Sequence, residues 1–340
     1  MNILLTGGAG YIGSHTAVVL SQAGHEPVLL DNFCNSNPKV LGCLRKILGK
    51  APSFIEADVR DTDVITKVLD KHKIDAVIHF AGLKAVSESV ANPVLYYANN
   101  VHSTISLLQA MQKVGVKTLV FSSSATVYGE PQYLPYDEEH PTRPMNPYGQ
   151  SKLHTEEILR DLAASDREWK IASLRYFNPV GAHSSGLIGE DPSGVPNNLM
   201  PYVAKVASGE LPHLNVFGAD YETRDGTGER DYIHVMDLSE GHMASLDYLK
   251  DHPGLEIINL GTGRSNSVLD LVAAFERVSG KGVKKVLSKR RPGDLPIYYA
   301  KVDKAKTLLG WKASRSLENM CESVWKWKLG DPANSDSYSP

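Results

Sequence analysis

Residues 2–20 read NILLTGGAGYIGSHTAVVL, and this stretch sets the expected fold. NILLT is a short apolar run of strand character, and SHTAVVL carries helical spacing, so glycines at 7, 8, 10 and 13 fall between a strand and a helix. They can be read as Gly8-x-Gly10-x-x-Gly13 or, overlapping, as Gly7-x-x-Gly10-x-x-Gly13. Glycines let the chain turn tightly and approach a pyrophosphate, whose charge rests on the helix N-terminus that Tyr11 and Ile12 open. A plain strand-to-helix turn would tolerate the same glycines, so context decides. Asp31 ends the next apolar run, PVLLD, about 20 residues on, where a carboxylate accepts hydrogen bonds from ribose hydroxyls. It would repel a 2′-phosphate, and no arginine neighbours it in sequence, so NAD is expected rather than NADP. A P-loop is excluded, because Gly8-x4-Gly13 is followed by Ser14 and not by lysine.

Outward from this loop, apolar runs alternate with helical patterns. SFIEAD, DAVIHFA, KTLVFSS and KIASLRYF read as strands, with DVITKVLDKHK and VHSTISLLQAMQKVG among the helices between them. Strands alternating with helices imply a parallel sheet covered on both faces, which right-handed crossovers wind into a doubly wound, Rossmann-type α/β fold. After Phe177 the texture turns Gly-, Pro- and Asn-rich. The expected division is a Rossmann domain at 1–177 and a smaller mixed α/β C-terminal domain at 178–340. A segment near 230–262, with the strand LEIINLG, is expected to return to the first domain.

Bulk properties narrow the function. The 340 residues carry a formal charge of −3, which argues against a nucleic-acid or membrane-surface partner. No apolar run approaches the roughly 20 residues of a membrane span, and no export signal is visible. Three widely spaced cysteines suit reduced thiols in a cytoplasmic setting. Twelve histidines show no paired metal-ligand spacing, so no metal is expected.

Ligands of such sheets lie at the carboxyl ends of the strands. That edge nominates Asp58 and Val59, Phe80 and Ala81, and Ser122 to Ser124. It also gives a setting to NPYGQSK (146–152), where Tyr148 and Lys152 stand one helical turn apart and share a face. Ser124, Tyr148 and Lys152 can then converge over a nicotinamide. A free phenol titrates near 10 and a base working near neutrality wants about 7, a gap worth roughly 4 kcal/mol. A nearby ammonium, together with the cationic nicotinamide, is expected to supply it. The chemistry this suits is hydride transfer from an alcohol carbon, with Tyr148 taking the hydroxyl proton.

The glycine loop, Ser124 and Tyr148-x-x-x-Lys152 resemble the extended short-chain dehydrogenase/reductase family. Longer stretches carry the likeness further: LDNFCNS, HFAGLKAV, FSSSATVYG, LRYFNPVGAH, PNNLMPY, GTGERDYIHVMDL and RRPGDLP. Over residues 1 to about 328 they are similar to its bacterial UDP-sugar 4-epimerases. The resemblance implies a redox-neutral interconversion of UDP-glucose and UDP-galactose in galactose metabolism. NAD oxidises C4, the keto sugar turns over, and the hydride returns to its other face.

By the same resemblance Tyr148 is the base, Lys152 binds the nicotinamide ribose and Ser124 assists at O4. Asp31, Asn32, Asn35 and Ser36 face the adenosine ribose, and Asp58 and Val59 the adenine. Lys84, Asn99 and Phe177 line the cofactor side with Ser122. Asn178, Asn198, Leu199, Asn215, Phe217, Arg230, Tyr232, Arg291 and Asp294 hold the nucleotide sugar, with Tyr298 beside the C2 substituent. Arg230 and Arg291 also stand in Gly-rich contexts whose guanidinium forks suit a diphosphate. A homodimer packed through helices at about 94–114 and 148–165 is implied too.

Other readings are weaker. A 4,6-dehydratase of the same fold carries an Asp-Glu pair where this chain has Ala125 and Thr126. That dehydratase is the nearest rival, a UDP-N-acetylhexosamine 4-epimerase is another alternative of the same fold, and a non-catalytic NAD sensor could dispense with the Tyr/Lys pair. No Gly-x-Ser-x-Gly elbow points to a hydrolase.

Overall fold

Six apolar runs in the first half form strands β1 (Asn2–Thr6), β2 (Glu26–Asp31), β3 (Ser53–Glu56), β4 (Ala76–His79), β5 (Thr118–Ser122) and β6 (Lys170–Tyr176). They lie in the order β3-β2-β1-β4-β5-β6, and Gly254–Leu260 adds a seventh strand beside β6, so LEIINLG does return to this sheet. Every pairing is parallel. The computed structural model describes residues 1–192, 196, 198–291 and 293–330.

Buried on both faces, the strands need near-continuous apolar sequence, which LLT, VLLD, AVIH and LVFS provide. One face packs against α1 (Tyr11–Gln22) and the helices Lys39–Leu48 and Val235–Leu249 through residues such as Leu5, Ile78, Leu20 and Leu238. The other face, with Leu4, Val77 and Phe121, is covered by Thr62–Lys71, His102–Val114 and Pro147–Ser165. Each fully buried Leu, Ile or Val contributes about 1.5–3 kcal/mol. A further apolar cluster lies outside the sheet and joins Leu199–Ala207, Val268–Ser279 and Leu317–Leu329.

Strand order reverses between β1 and β4, and the crevice opens at their carboxyl ends. The glycine loop sits there. Gly7 donates its N–H to Leu30 O at 2.8 Å and holds φ at +69°, and a Cβ on it would stand 2.8 Å from Ala81 N. Only glycine lets β1 and the β4 loop approach this closely.

The chain after Phe177 forms short sheets at the same edge. Asn178–Val180 pairs with Tyr232–His234, and Leu214–Phe217 with Lys285–Ser288. Glu229–Arg230 runs between Asn266–Ser267 and Ile297–Tyr298. The helix expected from VHSTISLLQ starts at His102, one residue later than the pattern suggests, because Tyr97–Val101 makes a π-helical turn before it.

Among the described residues, four of the buried histidines are held as neutral rings. Burial lowers His15, His79 and His234 to about 3 and His242 to about 4. His79 bridges Thr6 and Thr104, and His242 joins Ser122 to Leu238 O. The unfolded chain would protonate each near 6.5, so stability is fully present above that pH and declines as pH falls toward 3–4. Each ring contributes about 1.4 kcal/mol per pH unit in that window. Buried Asp231, raised to about 6, opposes part of this below pH 6. Urea midpoints should fall from pH 7 to pH 5, and His242→Gln should flatten that dependence by one proton.

Candidate active site

The reactive group is assembled where β5 meets the helix Pro147–Ser165. Asn146 caps that helix, its Oδ1 accepting the Gly149 N–H at 2.9 Å, and Pro147 takes the first helical position, where a missing N–H goes unnoticed. Gly149 allows contact with the serine turn: a Cβ there would stand 2.8 Å from Thr126 O. Cap, proline and glycine together bring Tyr148 onto Ser124.

Ser124 Oγ accepts the Thr126 N–H at 3.2 Å and the Thr126 hydroxyl at 2.9 Å. Its own hydrogen is therefore free for Tyr148, with which it bonds, or for a substrate oxygen. Tyr148 is 9% exposed. Burial pushes its phenol above the ordinary value, the Ser124 bond pulls the other way, and Tyr298 adds a smaller upward push. Lys152 donates to Ser122 O at 2.7 Å and lies 4.9 Å over the Phe121 ring. Burial lowers it to about 8, against the pull of Glu156. The spacing predicts a phenol lowered by Lys152 together with a nicotinamide cation. The protein's own groups shift it upward, because desolvation dominates and the ammonium is bonded to the strand end.

The nucleotide side fits a dinucleotide. Gly10 caps α1 with no side-chain bond, leaving first-turn N–H groups at Tyr11, Ile12 and Gly13 as donors. A Cβ on Gly13 would stand 2.8 Å from Gly8 Cα, whereas one on Gly10 would meet Gly7 O alone, at 3.1 Å. Internal packing thus demands Gly13, while Gly10 borders space that a ligand can use. Asp31 accepts from Ala9 N–H at 3.1 Å, Phe33 N–H at 2.9 Å and Ser36 Oγ at 2.8 Å. Asn32 donates to Asp58 at 3.1 Å, Asn35 is exposed nearby in sequence, and Val59 is buried.

Linear sequence sets no arginine beside Asp31, yet the fold brings Asp58, and with it Arg60, to Asn32. The Arg60 fork grips Asp58 at 2.9 and 2.6 Å and holds that carboxyl at about 2. Phe80 and Ala81 follow β4. Asn99 lies in the π-helical turn and donates to Asn100 Oδ1 at 3.1 Å. Asn100, which the sequence does not mark, is buried and ties Leu83 to Ser151 through its amide. A π turn is a frequent device at functional sites.

The short sheets gather the other group. Tyr298 pairs with Arg230, whose guanidinium lies 4.7 Å over its ring, and donates its hydroxyl to Asn178 Oδ1 at 2.9 Å. Phe177 stands 5.8 Å from the same ring. Asp294 lies 3.7 Å from Arg230, and Arg291 covers Phe217 at 3.9 Å, in the strand that holds Asn215. Tyr232 is buried and pairs with Asn178. Asn198, just before the helix opened by Leu199, donates to Glu190 Oε1 at 2.6 Å, and Lys84 reaches the same oxygen at 3.0 Å. Glu190 has no signal in the sequence, since only folding sets it between the two.

Residues 4–324 match the family model described as GDP-mannose 4,6 dehydratase. The UDP-glucose 4-epimerase of Bacillus subtilis is 56% identical, over 96% of this chain and 97% of its own. The UDP-glucose 4-epimerase of Stenotrophomonas maltophila, solved with NAD and formylated UDP-arabinopyranose, superposes with a TM-score of 0.95 at 50% identity, covering 97% and 98%. That of Bifidobacterium longum, solved with NAD+ and UDP, gives 0.94 at 50% identity over 98% and 100%. The fold and the Ser-Tyr-Lys group define an extended short-chain dehydrogenase/reductase. Within that class the chain belongs to the UDP-glucose 4-epimerase family.

The two glycines separate packing from ligand approach. Gly10→Ala should keep its melting temperature within a few degrees yet bind NAD about tenfold or more weaker, a loss of about 1.4 kcal/mol. Calorimetric titration with NAD beside a thermal melt checks both.

Proposed function

We propose that this protein interconverts UDP-glucose and UDP-galactose by inverting C4, with NAD as its resident cofactor. The observation that carries this reading is the meeting of Ser124, Tyr148 and Lys152 at the sheet's carboxyl edge, in a chain that shares half its residues with epimerases solved with NAD. When bound, NAD would supply at C4 the acceptor and later the donor of a hydride, and a positive charge that favours the phenolate. Gly7, Gly10 and Gly13 with the N–H groups of Tyr11 and Ile12 hold its pyrophosphate. Asp31, Asn32, Asn35 and Ser36 take the ribose, and Asp58 and Val59 the adenine. Phe80, Ala81, Lys84, Asn99, Ser122 and Phe177 line the rest.

Tyr148 takes the O4 proton and gives it back, while Ser124 donates to the oxygen that loses it. Inversion needs the keto sugar to turn while its nucleotide stays fixed. Arg230, Arg291 and Asn198 anchor the diphosphate, Phe217 and Asn215 the nucleoside, and Asn178 and Tyr298 border the sugar, with Leu199, Tyr232 and Asp294 around them. The division at residue 178 then puts the cofactor residues with Ser124 and Tyr148 before it and the nucleotide-sugar anchors after it, while the segment near 230–262 returns to the first sheet through Gly254–Leu260.

Exposed apolar side chains at Val86, Val90, Val94, Leu95 and Ile105 cluster around the helices before and within His102–Val114, and support a homodimer packed there. Among the described residues no helix is long and apolar enough to cross a membrane. A cytoplasmic site of action suits the free thiols of Cys34, Cys43 and Cys321.

UDP-galactose should be converted to UDP-glucose with no NADH accumulating. Tyr148→Phe should lower turnover by roughly 10²–10⁴, the range of a lost general base. Turnover should also decline as pH rises through about 8, as Lys152 gives up its proton. Stoichiometric NADH release, or an active Tyr148→Phe, would overturn the reading.

Sugar choice rests on Tyr298. Its ring is pinned by Arg230, Phe177 and Asn178, so an acetamido group at C2 must crowd it. Overpacking costs about 1–3 kcal/mol, so the N-acetylated UDP-sugars should be disfavoured roughly five- to 150-fold. Tyr298→Cys should admit them at some expense to plain sugars; equal kcat/KM for both pairs in the unmodified protein would remove the gate.

A further inference from the structure

Three consecutive serines leave β5, and each is bound by one of three residues spaced four apart on a single helix. Ser124 bonds Tyr148, Ser122 O receives Lys152 at 2.7 Å, and Ser123 Oγ donates to Glu156 Oε1 at 2.5 Å. The third contact is not used by the chemistry above. Glu156 is fully buried, and its carboxylate also accepts Ser173 Oγ at 3.2 Å and the Arg175 fork at 3.0 and 2.6 Å. Arg175 is 2% exposed and lies 4.8 Å over the Tyr128 ring.

A buried ion pair is seldom a net source of stability, because desolvating two charges costs as much as their attraction returns. Its place here is informative: one turn beyond Lys152, directly behind the reactive group. We propose that Glu156 is a positioning residue of the active site, locking the serine turn through Ser123 and supporting Lys152, with Arg175 as its counterion. This deepens the epimerase reading and rests on it.

The geometry gives Glu156 two routes. Through Ser123 it sets where Ser124 stands relative to Tyr148, since adjacent residues of an extended strand end cannot shift separately. Through charge it favours the ammonium of Lys152, which burial disfavours. The other titratable groups around Lys152 and Ser122 are neutral: His79 from β4, His242 from the helix Val235–Leu249, Tyr148 on the helix of Lys152, Tyr96 beside it and Tyr176 on β6. Arg175 is bonded to Glu156.

The test uses full-length protein with NAD bound, after the unmodified chain has been shown to convert UDP-galactose without NADH release; failure there would sink the epimerase reading itself. Ser123→Ala removes one hydroxyl and leaves the ion pair. It should lower kcat about ten- to a hundredfold, as a small misplacement does, with KM within twofold and the melting temperature nearly unchanged. Glu156→Gln should move the alkaline limb of the kcat profile down by about one pH unit, and Arg175→Gln, which leaves Glu156 uncompensated, should move it up. A purely structural pair would give no such opposed shifts. Wild-type kcat in Ser123→Ala, or a folded Glu156→Gln with an unmoved limb, overturns the proposal. If neither charge variant folds, Ser123→Ala decides alone.

Discussion

The register between the end of β5 and the helix Pro147–Ser165 is the constraint on which the site depends. A phenol, an ammonium and a carboxylate stand on one face of that helix, all within a tenth of full burial. None would be tolerated there alone. Each is answered by one residue of the Ser122–Ser124 run, so polar groups that would penalise the core instead define the spacing between strand and helix. Asn146, Pro147 and Gly149 secure the helix start that this spacing requires.

The surroundings act on that register from several sides. His242 bonds Ser122 from the helix Val235–Leu249, and Asn100 bonds Ser151 from the π-helical turn. Elements far apart in sequence therefore converge on one turn. Desolvation then sets the electrostatics, raising the phenol and lowering the ammonium together. In such a site a bound cation beside Tyr148 has more influence than it would in water.

The group proposed to hold the nucleotide sugar is built differently. Arg230 with Tyr298, both on short strands, and Arg291 with Phe217 form cation–ring pairs, where flat surfaces and fixed charges can hold a nucleotide without enclosing a sugar. Asp231, buried and bonded to Thr262, Gly263 and Ala300, ties these strands to the sheet and so sets the distance from the anchors to Tyr148.

Much was legible in the sequence because local rules carry it. The glycine loop, the alternation of strands and helices, the strand character of LEIINLG and the Tyr148/Lys152 face depend on periodicity and turn chemistry within a few residues. Other features are decided only by tertiary packing. Glu190 meets Lys84 across more than a hundred residues of chain, and strand packing sets Asp58, gripped by nearby Arg60, against Asn32 although the sequence around Asp31 shows no arginine. The direction of the Tyr148 shift belongs to the same class. Spacing alone brings an ammonium near the phenol, but burial and the competing Ser122 carbonyl exist only once the sheet has closed over the helix. The sequence by itself determined which groups share a face; the tertiary structure decided what surrounds them, because desolvation and long-range contacts have no local signature.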